Sequence, residues 1–561
     1  MKMWAAAVLS AALLEMPFPL AGPMPPWRGI FAWFGLVPLL WAILSPATVE
    51  HQRPFRRAFL LSYLSGVLWY MGNCYWIRDT MMRYGDMPTG APTLLLIAFS
   101  LVLGLYFGLF GLGVMLVRRA TGNTRLALAA APFLWVALDL AAARITSVPW
   151  DQLGYSQVDN GLAMVLAPWS GVYGLSFILV AANAACLGLV TAEVRTETGR
   201  ASRLLFTSQM ALAFVGSLLA SGFGTNLFQR VHSSPTSATA VLIQPNLEVG
   251  GDNEWAGPGE WDSHIAQFQH LGSEQCKTYI AGIPETGAGN GEIICPPYPT
   301  HPDLIVWPEA PAPFFENDPR FQQAMTSIVQ SDKAPLIVSG IGSNLDLAGS
   351  ATLDHVSAMV FAADGQEIGR YDKIHLVPFG EFVPFPKLLF FAHKLTGMVS
   401  KFTPGTERTT FRRLNGHRYG VFICYEAVFA DEVRQFAQLG AEVLVNISDD
   451  GWYGDTSAPW QHLNMARMRA IENRRWLLRD TNNGVTAVID PYGRVRQSIP
   501  RHQIDALPAQ YGFRDDITFY TDHGDVFAWL CVLLSVIVLA RSLKAEIKQI
   551  ASRSGTSNER R

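Results

Sequence analysis

Five stretches of the chain run for twenty or more residues without a single Asp, Glu, Lys or Arg: 29–49, 58–77, 87–117, 160–192 and 204–229. A hydrocarbon core about 30 Å thick is crossed by about 20 helical residues, so each run is long enough to span a membrane. Two weaker candidates join them: residues 4–22, which carry Glu15, and Leu126 to Ala143, which carry Asp139. A last apolar run, Val526 to Leu543, has Arg541 close to its exit. The sequence therefore predicts eight spans, seven before a polar region and one after it.

Charge divides the chain in the same place. The first 230 residues hold 24 charged side chains, whereas residues 231–540 hold 22 basic and 35 acidic ones. A net charge of −13 over that second stretch excludes a phosphate backbone as its natural partner, so no nucleic acid is expected. The resulting organisation is a membrane domain at 1–230, a polar catalytic-type domain at 231–510, a connector and eighth span at 511–545, and a basic tail at 546–561. Orientation follows from Lys and Arg, which concentrate in cytoplasmic loops. One side receives Lys2, then Arg53, Arg56 and Arg57, then Arg118, Arg119 and Arg125, then Arg195, Arg200 and Arg203, and six basic residues after Ala540. The other receives only Arg28, Arg78, Arg83 and Arg144 before the polar region. Both termini are expected in the cytoplasm and the polar domain outside. The first segment also resembles a signal peptide, with Ala21 and Gly22 before Pro23; its removal would leave the orientation of everything downstream unchanged.

Within the polar domain short β-rich runs alternate with helical stretches: Ala238 to Gln244, Leu304 to Trp307, Leu336 to Ile341, Val356 to Ala362, Tyr419 to Cys424, Val443 to Ile447 and Val485 to Ile489. Such alternation indicates a layered α/β domain around a buried sheet, where functional groups often follow strand ends. Three strand ends carry reactive types. Glu309 follows a strand and a proline. Lys373 and Glu381 share a loop after a hairpin turned at Asp364-Gly365. Cys424 ends an apolar strand, with a helical stretch at Asp431 to Leu439 soon after. A free thiol is only a few per cent ionised at neutral pH, so a nucleophilic Cys424 requires a base such as Glu309. Lys373 and the backbone N–H after Cys424 could hold a tetrahedral oxyanion, and Glu381 and Glu426 are candidates to orient Lys373. Singly, each residue also fits a structural reading: Cys424 as a core residue, Trp307 and Tyr425 as packing, His375 as support.

Longer motifs set those residues in context. IVWPEAPAP (305–313), YDKIHLVPFGEFVPF (371–385), GVFICYEAVF (420–429) and WQHLNMARMRAIENRRWLLRDTNNGVTAVIDPYG (460–493) resemble the nitrilase superfamily. With PWDQLGYSQ (149–157) and GVYGLSF (171–177) they resemble its membrane-bound branch, the apolipoprotein N-acyltransferases. The resemblance implies an αββα sandwich joined to a multi-span helical domain, in a bacterial inner membrane. It implies Glu309, Lys373 and Cys424 as base, lysine and nucleophile, Glu381 as a further essential glutamate, and Tyr425, Glu426 and Trp307 beside the site. The implied reaction carries an acyl chain from a membrane phospholipid, through a Cys424 thioester, to the N-terminal amine of a diacylated lipoprotein. Two departures stand out: Asp139 where the family usually has Glu, and Asp449 where it commonly has Asn. An anchored amide hydrolase would share the triad but release acyl groups to water. A transporter or lipid-binding module would leave the triad unused, and the sparse intramembrane charge argues against it. No metal-ligand spacing or nucleotide loop appears, so no cofactor is expected.

Two further expectations concern the domain's surroundings. Cys276 and Cys295, on the oxidising side, are expected to form a disulfide. The apolar stretch after Glu381, with Phe382, Phe385, Leu388, Leu389 and Phe390 between Gly380 and Gly397, reads either as a core helix or as an interfacial lid over the site.

Overall fold

The computed structural model describes residues 1–85, 87–191, 234–249, 259–272, 299, 301–309, 314–345, 352–378, 380–382, 402–412 and 416–558. The expected span at 204–229, Cys276 and Cys295, and Phe385, Leu388, Leu389 and Phe390 of the expected lid lie outside the described residues.

Among the described residues, five helices are long and apolar enough to cross a membrane: Pro26–Leu44, Ala91–Thr121, Thr124–Ile145, Ala163–Gly188 and Val526–Gln549. Two more pack in the same bundle. Lys2–Glu15 is a 14-residue helix ending at the carboxylate, and Pro54–Asn73, which opens with Arg56 and Arg57, covers most of the expected 58–77 run. The helix Ala91–Thr121 lies tightly against Pro54–Asn73 because its facing side is small. A Cβ at Gly108 would stand 2.6 Å from the ring of Phe59, and one at Gly111 only 2.0 Å from the Ser62 hydroxyl. Without a hydrophobic driving force between helices in lipid, such close backbone approach supplies the packing.

The polar domain is two six-stranded sheets. The first, in order β12-β1-β2-β3-β4-β5, uses β1 (Ala238–Gln244), β2 (Leu304–Val306), β3 (Leu336–Leu345), β4 (Thr352–Phe361), β5 (Glu367–Asp372) and β12 (Asp505–Tyr511). The second, in order β11-β10-β9-β8-β7-β6, uses β6 (Thr410–Arg412), β7 (Arg418–Ile423), β8 (Val443–Ser448), β9 (Trp476–Thr481), β10 (Thr486–Ile489) and β11 (Val495–Ile499). In each sheet three parallel strands, β1-β2-β3 and β7-β8-β9, lead into an antiparallel pair.

Side-chain alternation along the strands assigns the faces. Ala240, Leu242, Leu304 and Val306 meet Val421, Ile423, Val443 and Val445 between the sheets. Val241, Ile243, Ile305 and Trp307 instead pack under the outer helices Glu260–Leu271 and Pro319–Asp332. On the far side the second sheet is covered by the helices Ala430–Gln438 and Ala458–Asn473, completing an αββα sandwich.

All 16 residues of Ala458–Asn473 are buried, since its outer face is covered by the membrane bundle. Met465, Met468 and Ile471 share one apolar core with the bundle's helices, together with Tyr425 and Tyr453. Polar groups on the same helix are matched across the junction. Arg469 bonds the Tyr155 hydroxyl at 2.9 Å, and Glu472 accepts from the Val172 backbone N–H at 3.0 Å.

The chain reaches that junction by a kink at Gly171, whose φ of 61° and ψ of −166° interrupt the helix Ala167–Thr191. That backbone region is essentially restricted to glycine, and a Cβ there would stand 2.5 Å from the Tyr520 ring. Gly171→Ala is expected to destabilise the protein by roughly 1–3 kcal/mol or more, seen as a lower thermal midpoint in detergent. Gly22→Ala, where a Cβ meets nothing within 4 Å, serves as the neutral control.

Candidate active site

Four loops at strand ends converge between the sheets and the bundle. β2 delivers Trp307-Pro308-Glu309. Glu309 is 5% exposed; its Oε1 accepts from Lys373 Nζ at 2.9 Å, and its Oε2 accepts from the Asp449 backbone N–H at 3.1 Å. Lys373 follows β5 and is wholly buried, its amine also donating to Glu381 Oε1 at 2.7 Å. The second oxygen of Glu381 takes the Val377 N–H at 2.7 Å, which folds the loop from 373 to 381 back over the amine.

Cys424 directly follows β7 and is buried, with a φ of 48° that non-glycine residues rarely adopt. Burial, followed by the Glu309 charge, pushes the thiol well above its usual range, against the opposing pull of Lys373. Burial works against the Lys373 ammonium, but the Glu309 and Glu381 carboxylates overcome it and hold the amine well above its ordinary value. Glu381 is itself pushed up, first by burial. The resting site thus contains a neutral thiol, a fixed cation and a carboxylate, so nucleophilic attack requires proton removal at the moment of reaction.

Glu426, one of two candidates to orient Lys373, is engaged elsewhere: its Oε1 takes the Tyr371 hydroxyl at 2.7 Å and the backbone N–H groups of Ile374 at 2.7 Å and His375 at 3.2 Å. Its Oε2 takes the Ile423 N–H at 2.7 Å. A carboxylate has about four acceptor positions, and here they staple the loop after β5 to the turn holding Cys424. Of the two candidates to orient the lysine, Glu381 is the one hydrogen-bonded to it, beside Glu309. Trp307 is 1% exposed and packs edge-on against Phe268 at 4.8 Å, in the helix layer on the other face of the sheet. Tyr425 stacks on Trp150 at 6.3 Å and donates to the Ser147 carbonyl at 3.2 Å, so it meets the bundle. Phe382 pairs in a single bridge with Pro378. His375 stacks on Phe429 at 4.1 Å and faces Glu432 at 3.1 Å, a supporting contact.

Several residues near the site had no separate signal in the sequence. Asp450 accepts from Arg479 at 2.7 Å and faces His462 at 2.9 Å, and His462 in turn meets the Cys424 carbonyl at 3.0 Å. His462 and Arg479 lie in a long segment quoted for its resemblance and Asp450 lies outside it, and spacing alone does not distinguish them from a polar helix face, an ordinary strand and a loop. Among the described residues, no group of three or more His, Cys, Asp and Glu side chains is arranged to hold a metal ion.

Comparison with known proteins agrees along nearly the whole chain. Residues 10–185 match the apolipoprotein N-acyltransferase N-terminal domain, and residues 292–507 match the carbon-nitrogen hydrolase family. The chain is 32% identical over 542 residues to the apolipoprotein N-acyltransferase of Geobacter metallireducens, covering 96% of this chain and 95% of that protein. It is 30% identical over 512 residues to that of Vibrio cholerae, covering 89% and 90%. Among solved structures, Saccharomyces cerevisiae Nit3, a nitrilase superfamily member, aligns at 16% identity with a TM-score of 0.34, over 50% of this chain and 91% of that one.

Asp449 supplies a pH test. Burial, then the Glu309 charge, pushes its carboxyl up to about 8, so near neutrality it is mostly protonated and uncharged. An unfolded Asp loses its proton near pH ~4. Between that value and about 8 unfolding therefore releases a proton, so stability falls as pH rises and levels off above it. Asp449→Asn is expected to flatten this slope. Thermal midpoints from pH 5 to 9 should fall more for the wild type than for the variant, and parallel curves would assign the slope to other groups.

Proposed function

The chain belongs to the apolipoprotein N-acyltransferase family, and on that footing we propose that Glu309, Lys373 and Cys424 carry its acyl transfer from a membrane phospholipid to the N-terminal amine of a diacylglyceryl-cysteine lipoprotein. The single observation that carries the assignment is the buried Lys373 ammonium bonded to two carboxylates beside the Cys424 thiol.

In the first half-reaction Glu309 takes the Cys424 proton and the thiolate attacks the ester carbonyl of the phospholipid. An ammonium has three N–H donors. Two of those on Lys373 are directed at Glu309 and Glu381, leaving the third for the oxyanion alongside the Tyr425 backbone N–H. Collapse breaks the ester bond, and the departing alkoxide of the lysophospholipid takes the proton from Glu309. In the second half-reaction the neutral lipoprotein amine attacks the thioester and gives its proton to Glu309. Collapse forms the amide and expels the thiolate, which recovers that proton.

Both substrates are lipidic, and the site's continuity with the bundle core supports their reaction at the membrane, where exclusion of water protects the thioester. The excess of Lys and Arg on alternate loops supports cytoplasmic termini and an outward-facing catalytic domain in the bacterial inner membrane.

Mass spectrometry of purified protein incubated with phospholipid tests the assignment. Wild-type protein is expected to carry one acyl adduct on Cys424, and Cys424→Ala neither adduct nor product. Glu309→Gln should form no thioester while keeping a cooperative melting transition. Lys373→Met should slow adduct formation by ~10²-fold or more, the magnitude for loss of an oxyanion donor. Full transfer by Cys424→Ala would overturn the mechanism.

A further inference from the structure

His462 is fully buried, yet it touches none of the three groups assigned to chemistry through its side chain. Its Nε2 lies 3.0 Å from the backbone carbonyl oxygen of Cys424. A carbonyl can only accept, so the ring donates to it through an Nε2–H. On the other side of the ring, Nδ1 meets Asp450 Oδ1 at 2.9 Å and Arg479 Nη2 at 3.2 Å. Asp450 is fixed in turn by Arg479 at 2.7 Å and by the Ser448 hydroxyl at 3.0 Å. The ring faces are also occupied, by Trp150 stacked at 6.1 Å and by Tyr453 edge-on at 5.8 Å. The imidazole therefore has a single direction in which to aim its N–H.

The carbonyl it holds belongs to the peptide unit joining Cys424 to Tyr425. That unit is planar and trans, so its C=O and N–H point in opposite directions and turn together. Fixing the Cys424 oxygen fixes where the Tyr425 N–H points. Because Cys424 sits at a φ of 48°, outside the relaxed region, the peptide needs such restraint to stay in place. A hydrogen bond at the carbonyl also polarises the amide and strengthens its N–H as a donor.

We propose that His462 is a positioning residue for the oxyanion site, holding the Cys424–Tyr425 peptide so that its N–H faces the reacting carbonyl. This rests on the acyl-transfer reading above and adds a residue to it. The membrane bundle takes part in the restraint. Gln461, the neighbour of His462, accepts from Trp150 Nε1 at 2.8 Å and donates to Asn73 Oδ1 at 3.0 Å, and both partners belong to the bundle. Helix position, ring orientation and peptide direction are thereby set from the membrane side.

The experiment compares two reactions of the same thiol in the full-length protein. Acylation by phospholipid passes through an oxyanion; alkylation by iodoacetamide displaces iodide at a saturated carbon and does not. His462→Leu removes the N–H, whereas His462→Gln returns an amide N–H at similar reach. The Leu variant is expected to acylate Cys424 roughly 10-fold or more slowly, a fraction of the loss for deleting an oxyanion donor, while its alkylation rate stays within about 2-fold of wild type. The Gln variant should recover most of the acylation rate. Unchanged acylation in the Leu variant, or acylation and alkylation falling together in both variants, would overturn the proposal. Failure of wild-type protein to form any acyl adduct on Cys424 would instead overturn the acyl-transfer reading itself.

Discussion

An ammonium with no exposure to water, held between two carboxylates, is the interaction on which the catalytic centre depends. Removing Lys373 from water costs several kcal/mol, recovered only if its partners are close and its donors are met. That requirement propagates outward. Glu309 must be held at the end of β2 by the Asp449 N–H, and Glu381 must be brought back by the Val377 N–H. Glu426 must then tie the lysine's loop to the turn of Cys424. Burial first, and the Glu309 charge second, push up both the Cys424 thiol and the further carboxyl of Asp449.

The second constraint is the wholly buried helix Ala458–Asn473. A helix with solvent on one side can place charges there, but this one has sheet on one face and membrane bundle on the other. Four of its polar residues find partners across the junction with the bundle: Gln461 with Trp150 and Asn73, Arg467 with Asp159, Arg469 with Tyr155, Glu472 with Val172. Unpaired buried polar groups are costly, so these pairs fix one docking geometry. The bundle thus serves as part of the wall and support of the reaction centre as well as an anchor.

The strand ends bearing Glu309, Lys373 and Cys424 were legible because an apolar run that stops abruptly at a carboxylate, an amine or a thiol leaves that group where strands of an α/β domain open. Strand lengths were less legible: β3 extends to Leu345 and β4 begins at Thr352, beyond the apolar residues, because their antiparallel hydrogen bonding continues into the polar hairpin ends. Trp307 read as a residue beside the site, but alternation sends it to the helix layer. Glu426 read as a partner for the lysine, yet backbone N–H groups claimed its oxygens, and such bonds leave no trace in residue types.

The sequence by itself determined that this chain is a membrane bundle joined to a layered α/β domain, because charge-free length and the alternation of short apolar runs with helical stretches can be read along the chain, whereas the two-sheet sandwich was implied only by the family resemblance. It also determined which residue types stand at the strand ends. Only the tertiary structure decided which glutamate bonds Lys373, that Asp449 borders Glu309, and that His462 grips the peptide following the nucleophile. Those relations join residues separated by tens to hundreds of positions, and they are set by how sheets, loops and bundle are oriented in space. Burial then decides their strength, since the same carboxylates and amine exposed to water would interact weakly.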